Sequence, residues 1–311
     1  MKNFLLVTSV IFLLGCEKEI DFTGKELSPK MVVNSLIDAR LDTNEIEISE
    51  SVFAFSDGQP RIVENPELHL SINGEECHQL WLDTVIGVHT YYQFAAHLNA
   101  GDRIDFSAHT PKHGTVRGYD YVPNITEITD FEAAWFIKKD YEHLRLYVTI
   151  KDNPQEQNFY RIVVRTNGET MHPSIQEPHD FWSPSEVFID DEMLFNKPGE
   201  AEEEGKSPNY FRIFSDDIFQ GQEYTLNVYI KEENLEDDPF SDYLRQRVKV
   251  EIHTLSEKMY RNLRSQELAS GSLGDLFSEP VKIYTNMQGG YGIFGIYNST
   301  EKVKLVAEKG E

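Results

Sequence analysis

The sequence predicts a mainly β protein of two β-sandwich-like domains, with one short helix and a long acidic excursion in the second. Three observations carry this. Apolar and polar residues alternate with period 2 along many short stretches, which marks strands with one buried face. Turn-forming residues separate those stretches at short intervals. Tyr and Phe are plentiful, at 15 and 19 copies, and suit half-buried pleated surfaces.

The first series runs from residue 31 to 123. Met31 to Ile37 is a strand candidate. Ile46 and Ile48 alternate with Glu45 and Glu47, and Leu68, Leu70 and Ile72 with His69 and Ser71. Tyr91 to Leu98 is another candidate, and Ile104, Phe106 and Ala108 alternate with Arg103, Asp105 and Ser107. Asp57-Gly58-Gln59-Pro60, Asn73-Gly74, Ala100-Gly101-Asp102 and His113-Gly114 supply the turns. Strands at this spacing fit a sandwich of immunoglobulin-like size, without the cysteine pair and core tryptophan of antibody domains. Tyr121-Val122-Pro123-Asn124 reads as a boundary, because proline ends the preceding strand.

A second series occupies 124–311. Leu144, Leu146, Val148 and Ile150 alternate, followed by Phe159 to Thr166, Tyr224 to Ile230 and Val248 to Thr254. Residues 168–210 hold Pro173, Pro178, Pro184, Pro198 and Pro208 and read as a long irregular excursion. One helix is expected, capped by Ser256, stapled by Leu255 and Tyr260, packed through Tyr260 and Leu263, and stopped at Gly271. Val281 to Thr285 is a strand candidate before Gly290-Tyr291-Gly292-Ile293-Phe294-Gly295. That string matches GxGxxG, but a dinucleotide site needs a helix after it and an acidic residue about 20 positions on. Only 16 residues remain, and Ile296-Tyr297 followed by Val303 to Val306 reads as strand.

The N-terminus carries an address. Lys2 precedes an apolar run from Phe4 to Leu14, too short for the roughly 20 residues that span a bilayer. Gly15-Cys16 follows and resembles a lipobox, so residues 1–15 read as a lipoprotein signal peptide and 16–30 as a tether lipidated on Cys16. The alternative is an ordinary secretory signal with a chance cysteine. Two or more acyl chains on such a residue anchor stably, at about 0.8 kcal/mol per buried CH₂. Glu17-Lys18-Glu19 resembles the acidic export signals of surface lipoproteins.

Composition narrows the function. The formal net charge of −24 argues against nucleic acid and anionic headgroups as partners. Residues 186–242 hold 17 acids and 4 bases, a net of −13. Within them Glu236, Asp237, Asp238 and Asp242 are calcium candidates, lacking the EF-hand spacing; the alternative is a solvated surface. Phe181, Trp182 and Tyr210 are candidate ligand-facing aromatics, or else residues that pin the excursion down. With Cys16 lipidated, Cys77 is the lone remaining cysteine and reads as structural. No HExxH, GxSxG or Walker-type lysine loop occurs, so no catalytic residue, metal ligand set or cofactor is assigned.

Glu279-Pro280-Val281-Lys282-Ile283-Tyr284-Thr285-Asn286-Met287, followed by Gly289 to Gly295, closely resembles the closing motif of a Bacteroidota lipoprotein family known as domain of unknown function 4249. Val32-Val33-Asn34, Leu98-Asn99-Ala100-Gly101-Asp102 and Ser215-Asp216-Asp217-Ile218-Phe219-Gln220-Gly221 resemble further pieces of it. The resemblance implies an outer-membrane lipoprotein of two β-sandwich-like domains, without enzyme activity, associated with a TonB-dependent receptor. The expected function is therefore an accessory or ligand-binding component of an uptake system, facing the cell exterior. A structural or adhesive surface module, and a hydrolase with an unrecognised carboxylate site, are the alternatives.

Overall fold

A computed structural model of the chain describes residues 28–52, 61–138, 141–170, 179–184, 188–189, 211–231, 247–272 and 281–306. In chain order the elements are β1 (Met31–Asp38), β2 (Thr43–Glu50), β3 (Glu67–Ile72), β4 (Glu75–Glu76), β5 (Leu80–Ile86), β6 (His89–Ala95), β7 (Arg103–Thr110) and β8 (Gly114–Tyr121). Then come β9 (Glu127–Lys138), β10 (Tyr141–Lys151), β11 (Phe159–Thr170), β12 (His179–Pro184), β13 (Phe188–Ile189), β14 (Ile213–Ser215), β15 (Glu223–Lys231), β16 (Arg247–Leu255), helix α1 (Glu257–Ser272) and β17 (Tyr291–Leu305).

Among the described residues the strands form three sheets. A nine-stranded sheet runs β12-β11-β16-β17-β1-β2-β6-β5, with β14 added beside β11. Two four-stranded sheets run β4-β3-β7-β8 and β13-β15-β10-β9. The period-2 pattern explains the packing. Met31, Val33, Ile37, Ile46, Ile48 and Phe94 of the large sheet meet Leu70, Ile104, Phe106, Ala108 and Val116 of the first small sheet. Tyr160, Ile162, Val164, Val248, Val250 and Ile252 meet Leu144, Leu146, Val148, Ile150, Leu226 and Val228 of the second. The protein is thus mainly β, with two sandwich-like cores backed by one common sheet.

β17 is the strand that serves both. Phe294 and Ile296 enter the first core, where Phe294 stacks on Phe106 at 5.6 Å, and Val306, one residue past the strand's end, enters the second. These residues share one parity and therefore one face of the strand. Its N-terminal half pairs in parallel with β1, and its whole length from Tyr297 pairs antiparallel with β16. The first core thus draws Met287, Phe294 and Ile296 from a segment far beyond residue 123.

The glycine motif makes that parallel pairing possible. Gly292 has φ +99, and a Cβ there would lie 2.0 Å from the Val33 carbonyl oxygen. Gly289 has φ +88, with a Cβ position 2.3 Å from the Thr115 oxygen. Only glycine tolerates both the backbone and the approach. Strand continues through Gly292 and Gly295, so the string shapes a backbone and is no dinucleotide loop.

α1 packs on the opposite face of the large sheet. Ser256 caps it by accepting a hydrogen bond from Met259 N at 3.2 Å. Leu255, Met259 and Leu263 are buried together with Ile213, and Tyr260 stacks on Phe159 at 4.5 Å. The helix continues past Gly271 to Ser272. Two other stretches differ from expectation. β11 runs on to Thr170 and pairs with β12, so the start of the excursion is a hairpin. Val281 to Thr285 forms no strand. Side chains of α1 satisfy part of its backbone instead: Tyr284 N donates to Ser265 Oγ at 2.8 Å, and Asn262 Nδ2 donates to Tyr284 O at 2.6 Å. Among the described residues no helix is long and apolar enough to cross a membrane.

Candidate ligand-binding cleft

The outer face of the first small sheet carries an open polar concavity. Alternation in β7 turns Ile104, Phe106 and Ala108 inward and leaves Arg103, Asp105 and Ser107 outward. In β8, Val116 and Asp120 go inward, with Arg117, Tyr119 and Tyr121 outward. His69 and Ser71 of β3 flank Leu70 in the same way. Register aligns these side chains in two cross-strand rows. His69 pairs with Ser107, Ser107 with Arg117, and Arg117 bridges to Gln288. Ser71 pairs with Asp105, and Asp105 with Tyr119. With Asn286 at the rim, they line a cleft of about 430 Å³.

One wall is rigid. Arg103 donates twice to Asp105, at 2.8 and 2.6 Å, and its guanidinium lies 4.2 Å from the Tyr119 ring centre. Lys258 of α1 sits over the same ring at 3.2 Å and donates to Tyr119 O at 2.8 Å. Tyr121 meets Tyr119 edge-on at 5.9 Å. The rim is tied down by Asn286, which donates to Phe294 O at 2.7 Å and accepts from Phe294 N at 3.0 Å. Opposite, hydrogen bonds to Glu76 and then Glu67 raise the pKa of His69. Among the described residues, by contrast, the side chains of Ser71, Ser107, Arg117 and Gln288 have no hydrogen-bond or ion-pair partner.

Beneath the wall, Asp120 ties β8 to α1 and β17. It accepts from Ser256 Oγ, from Ile296 N at 3.2 Å and from Tyr121 N at 2.9 Å. Burial outweighs these bonds and pushes its carboxyl up to about 6.

Three other polar clusters are engaged mostly within the protein, with Asp216 Oδ1 and His253 Nδ1 left without a hydrogen-bond partner among the described residues. Thr110, His113 and Glu50 form a relay, with Thr110 Oγ1 2.9 Å from His113 Nδ1 and His113 Nε2 2.7 Å from Glu50 Oε2. The Thr110 hydroxyl is buried and accepts from His113 N at 3.1 Å, so this is a clasp that also engages Lys112. Asp152 accepts from Tyr160 and from Gly221 N at 2.6 Å, while Asp216 accepts from Asn158 N at 2.7 Å; both bind turns to the second core. On the outer face of the large sheet, Glu251 accepts from Arg165 Nε at 2.8 Å and lies 3.1 Å from His253 Nε2. Those two partners, His253 first, bring its pKa down to about 2. His253 stacks on Tyr297 at 4.5 Å, and burial lowers its pKa.

The residues singled out in the sequence fall elsewhere. Cys16, Tyr210, Glu236, Asp237, Asp238 and Asp242 lie outside the described residues. Phe181 and Trp182 sit on β12, in register with Gly168 and Asn167, and their side chains lie outside the described part. Cys77 packs at the edge of the first core, with Sγ 3.7 Å from Ala95 O. The residues of the cleft were visible only as the polar half of an alternating pattern, Arg103-Asp105-Ser107 and Arg117-Tyr119-Tyr121. Register across β3, β7 and β8 is the signal that would have united them.

Fold and cleft together define a β-sandwich-type protein with an open polar recess on a sheet face. The family model described as Domain of unknown function (DUF4249) matches residues 17–303, and the chain belongs to that family. No curated protein matches the chain.

Proposed function

We propose that the protein is a lipid-anchored binding component at the outer-membrane surface, serving a TonB-dependent uptake system without chemistry of its own. The observation that carries the binding role is the row of unpartnered polar side chains in an open cleft. Polar side chains on an ordered face that no neighbour in the protein engages can exchange water for a ligand. The anchor is supported by the Gly15-Cys16 motif at the end of the apolar run, and the transport partner by the family resemblance. One raised carboxyl that a hydrolase could use, Asp120, is already engaged. Its carboxyl has the raised pKa such a site needs, but Ser256, Ile296 and Tyr121 take up its oxygens.

Two measurements test the reading. Cys16→Ala should abolish metabolic labelling by palmitate and release the protein from membranes. Purification of the wild type in mild detergent should bring down a barrel partner. A chain that keeps its label without Cys16, or runs alone under every growth condition, overturns the respective half. The adhesive reading has one observation in its favour. β5 is an edge strand with Trp81, Leu82, Val85 and Ile86 exposed, a surface on which another chain can pair. It predicts binding to host or matrix material that Leu82→Lys abolishes.

A further inference from the structure

We infer that the cleft takes an extended, hydroxyl-rich ligand bearing an oxyanion: an acidic saccharide or a sugar phosphate, with the oxyanion on Arg117. The inference rests on the reading of this cleft as a binding surface and names what it binds.

Shape comes first. His69, Ser107, Arg117 and Gln288 stand side by side on four adjacent segments. Neighbouring strands lie about 4.8 Å apart, so the row is roughly 14 Å long. The edges beside the row are partly taken, β3 by β4 at Ser71 and Ile72, and β8 by the Gln288 segment at Arg117. The row itself lies on the sheet face, where recognition falls to side chains and not to added backbone pairing.

Chemistry comes second. Ser71, Ser107 and Gln288 offer neutral donors and acceptors with no side-chain partner among the described residues. Such groups suit hydroxyls, which both donate and accept. Charge comes third. The lining holds two arginines, Arg103 and Arg117, against one carboxylate, Asp105. Asp105 is committed to Arg103, which leaves the exposed guanidinium of Arg117 uncompensated among the described residues. Its planar fork fits a carboxylate or phosphate. The chain's −24 charge does not forbid this, because at physiological salt charges beyond about 8 Å are screened and the local excess decides.

The test uses the full lipidated chain in detergent and isothermal titration with trigalacturonate, glucose 6-phosphate and neutral galactotriose. An acidic probe should bind more tightly than the neutral trimer, and rising salt should weaken it. Arg117→Gln should reduce acidic-probe affinity roughly tenfold to a hundredfold, the worth of a charge-assisted hydrogen bond. Arg117→Lys, which keeps the charge and loses the fork, should fall between. Preference between the two acidic probes separates a carboxylate from a phosphate source. Equal affinity for the neutral trimer, indifference to Arg117→Gln, or no binding of either acidic probe overturns the inference. A neutral trimer bound in the cleft would do so while leaving the binding role intact, and the co-purification result is independent of both.

Discussion

Two sheet faces in this molecule carry rows of polar side chains, and they treat them in opposite ways. On the outer face of the large sheet, Glu251 is surrounded by Arg165, His253 and Lys249, and Glu301 by Lys249 and Arg40. Each charge there is answered by a neighbour, and Glu251 and His253 are buried. On the outer face of the first small sheet, Arg103 and Asp105 answer each other, but Ser71, Ser107, Arg117 and Gln288 have no side-chain partner among the described residues. Polar residues satisfied within the protein hold it together. Those left open on an ordered surface are available to something else.

That contrast can be attacked by substitution. The largest effect is expected on the closed face. Glu251→Ala leaves Arg165 without its carboxylate while Lys249 keeps Glu301, which should cost about 3 kcal/mol of stability, the low end for one-sided loss of a buried ion pair because Arg165 is partly exposed. Chemical denaturation would measure it, and ligand binding at the cleft should be untouched. A loss below 1 kcal/mol would mean the closed face is as dispensable as the open one.

Next in size is a pair of opposite pH dependences. Glu251 titrates near 2 in the folded chain and near 4.5 unfolded, so its contribution is present above 4.5 and lost as pH falls through 2. Asp120 has the reverse sign. Its folded pKa of about 6 exceeds the unfolded 3.8, so the stability linked to its proton is present below 3.8 and lost as pH rises through 6. The difference amounts to about 3 kcal/mol. Urea midpoints between pH 4 and 6 should show this component in the wild type and not in Asp120→Asn. Identical slopes would place the Asp120 titration elsewhere.

The smallest effect belongs to the open face. Ser107→Ala and Gln288→Ala should change stability by no more than about 0.5 kcal/mol, as surface substitutions do. Thermal melts that fall much further would show these side chains to be part of the scaffold.

Much of the architecture was legible in the sequence. Ile46 and Ile48, Leu144 to Ile150 and Ile104 to Ala108 all turn inward as their alternation predicts. Ser256 caps the helix, and Leu255 and Tyr260 gather in one cluster as a staple should. What escaped has physical reasons. β5 is an edge strand exposed on both faces, so Leu80-Trp81-Leu82 and Val85-Ile86 show no alternation. β12 ends at Pro184, which reads as a breaker and is tolerated because the strand lies at the sheet's edge. The strand expected at Val281 to Thr285 is apolar enough, but its hydrogen bonds go to Ser265 and Asn262, which no local pattern encodes. The cleft was hidden for a related reason: its members are far apart in the chain, and only strand register brings them into line.

The shared strand has a temporal consequence. β17 sits in the middle of the largest sheet, between β16 and β1, yet a ribosome makes it after every other described strand. Its partner residues Val32 and Tyr291 are separated by 259 positions in the sequence. Until that late segment arrives, β1 and β16 lack their common neighbour, and neither hydrophobic core has all its members. Pairing across such a separation is slow, because a long loop must close before any contact rewards it. A growing chain of this kind stays open until residues 291–305 have been made, and a stop codon anywhere before residue 291 removes a strand from the middle of the large sheet.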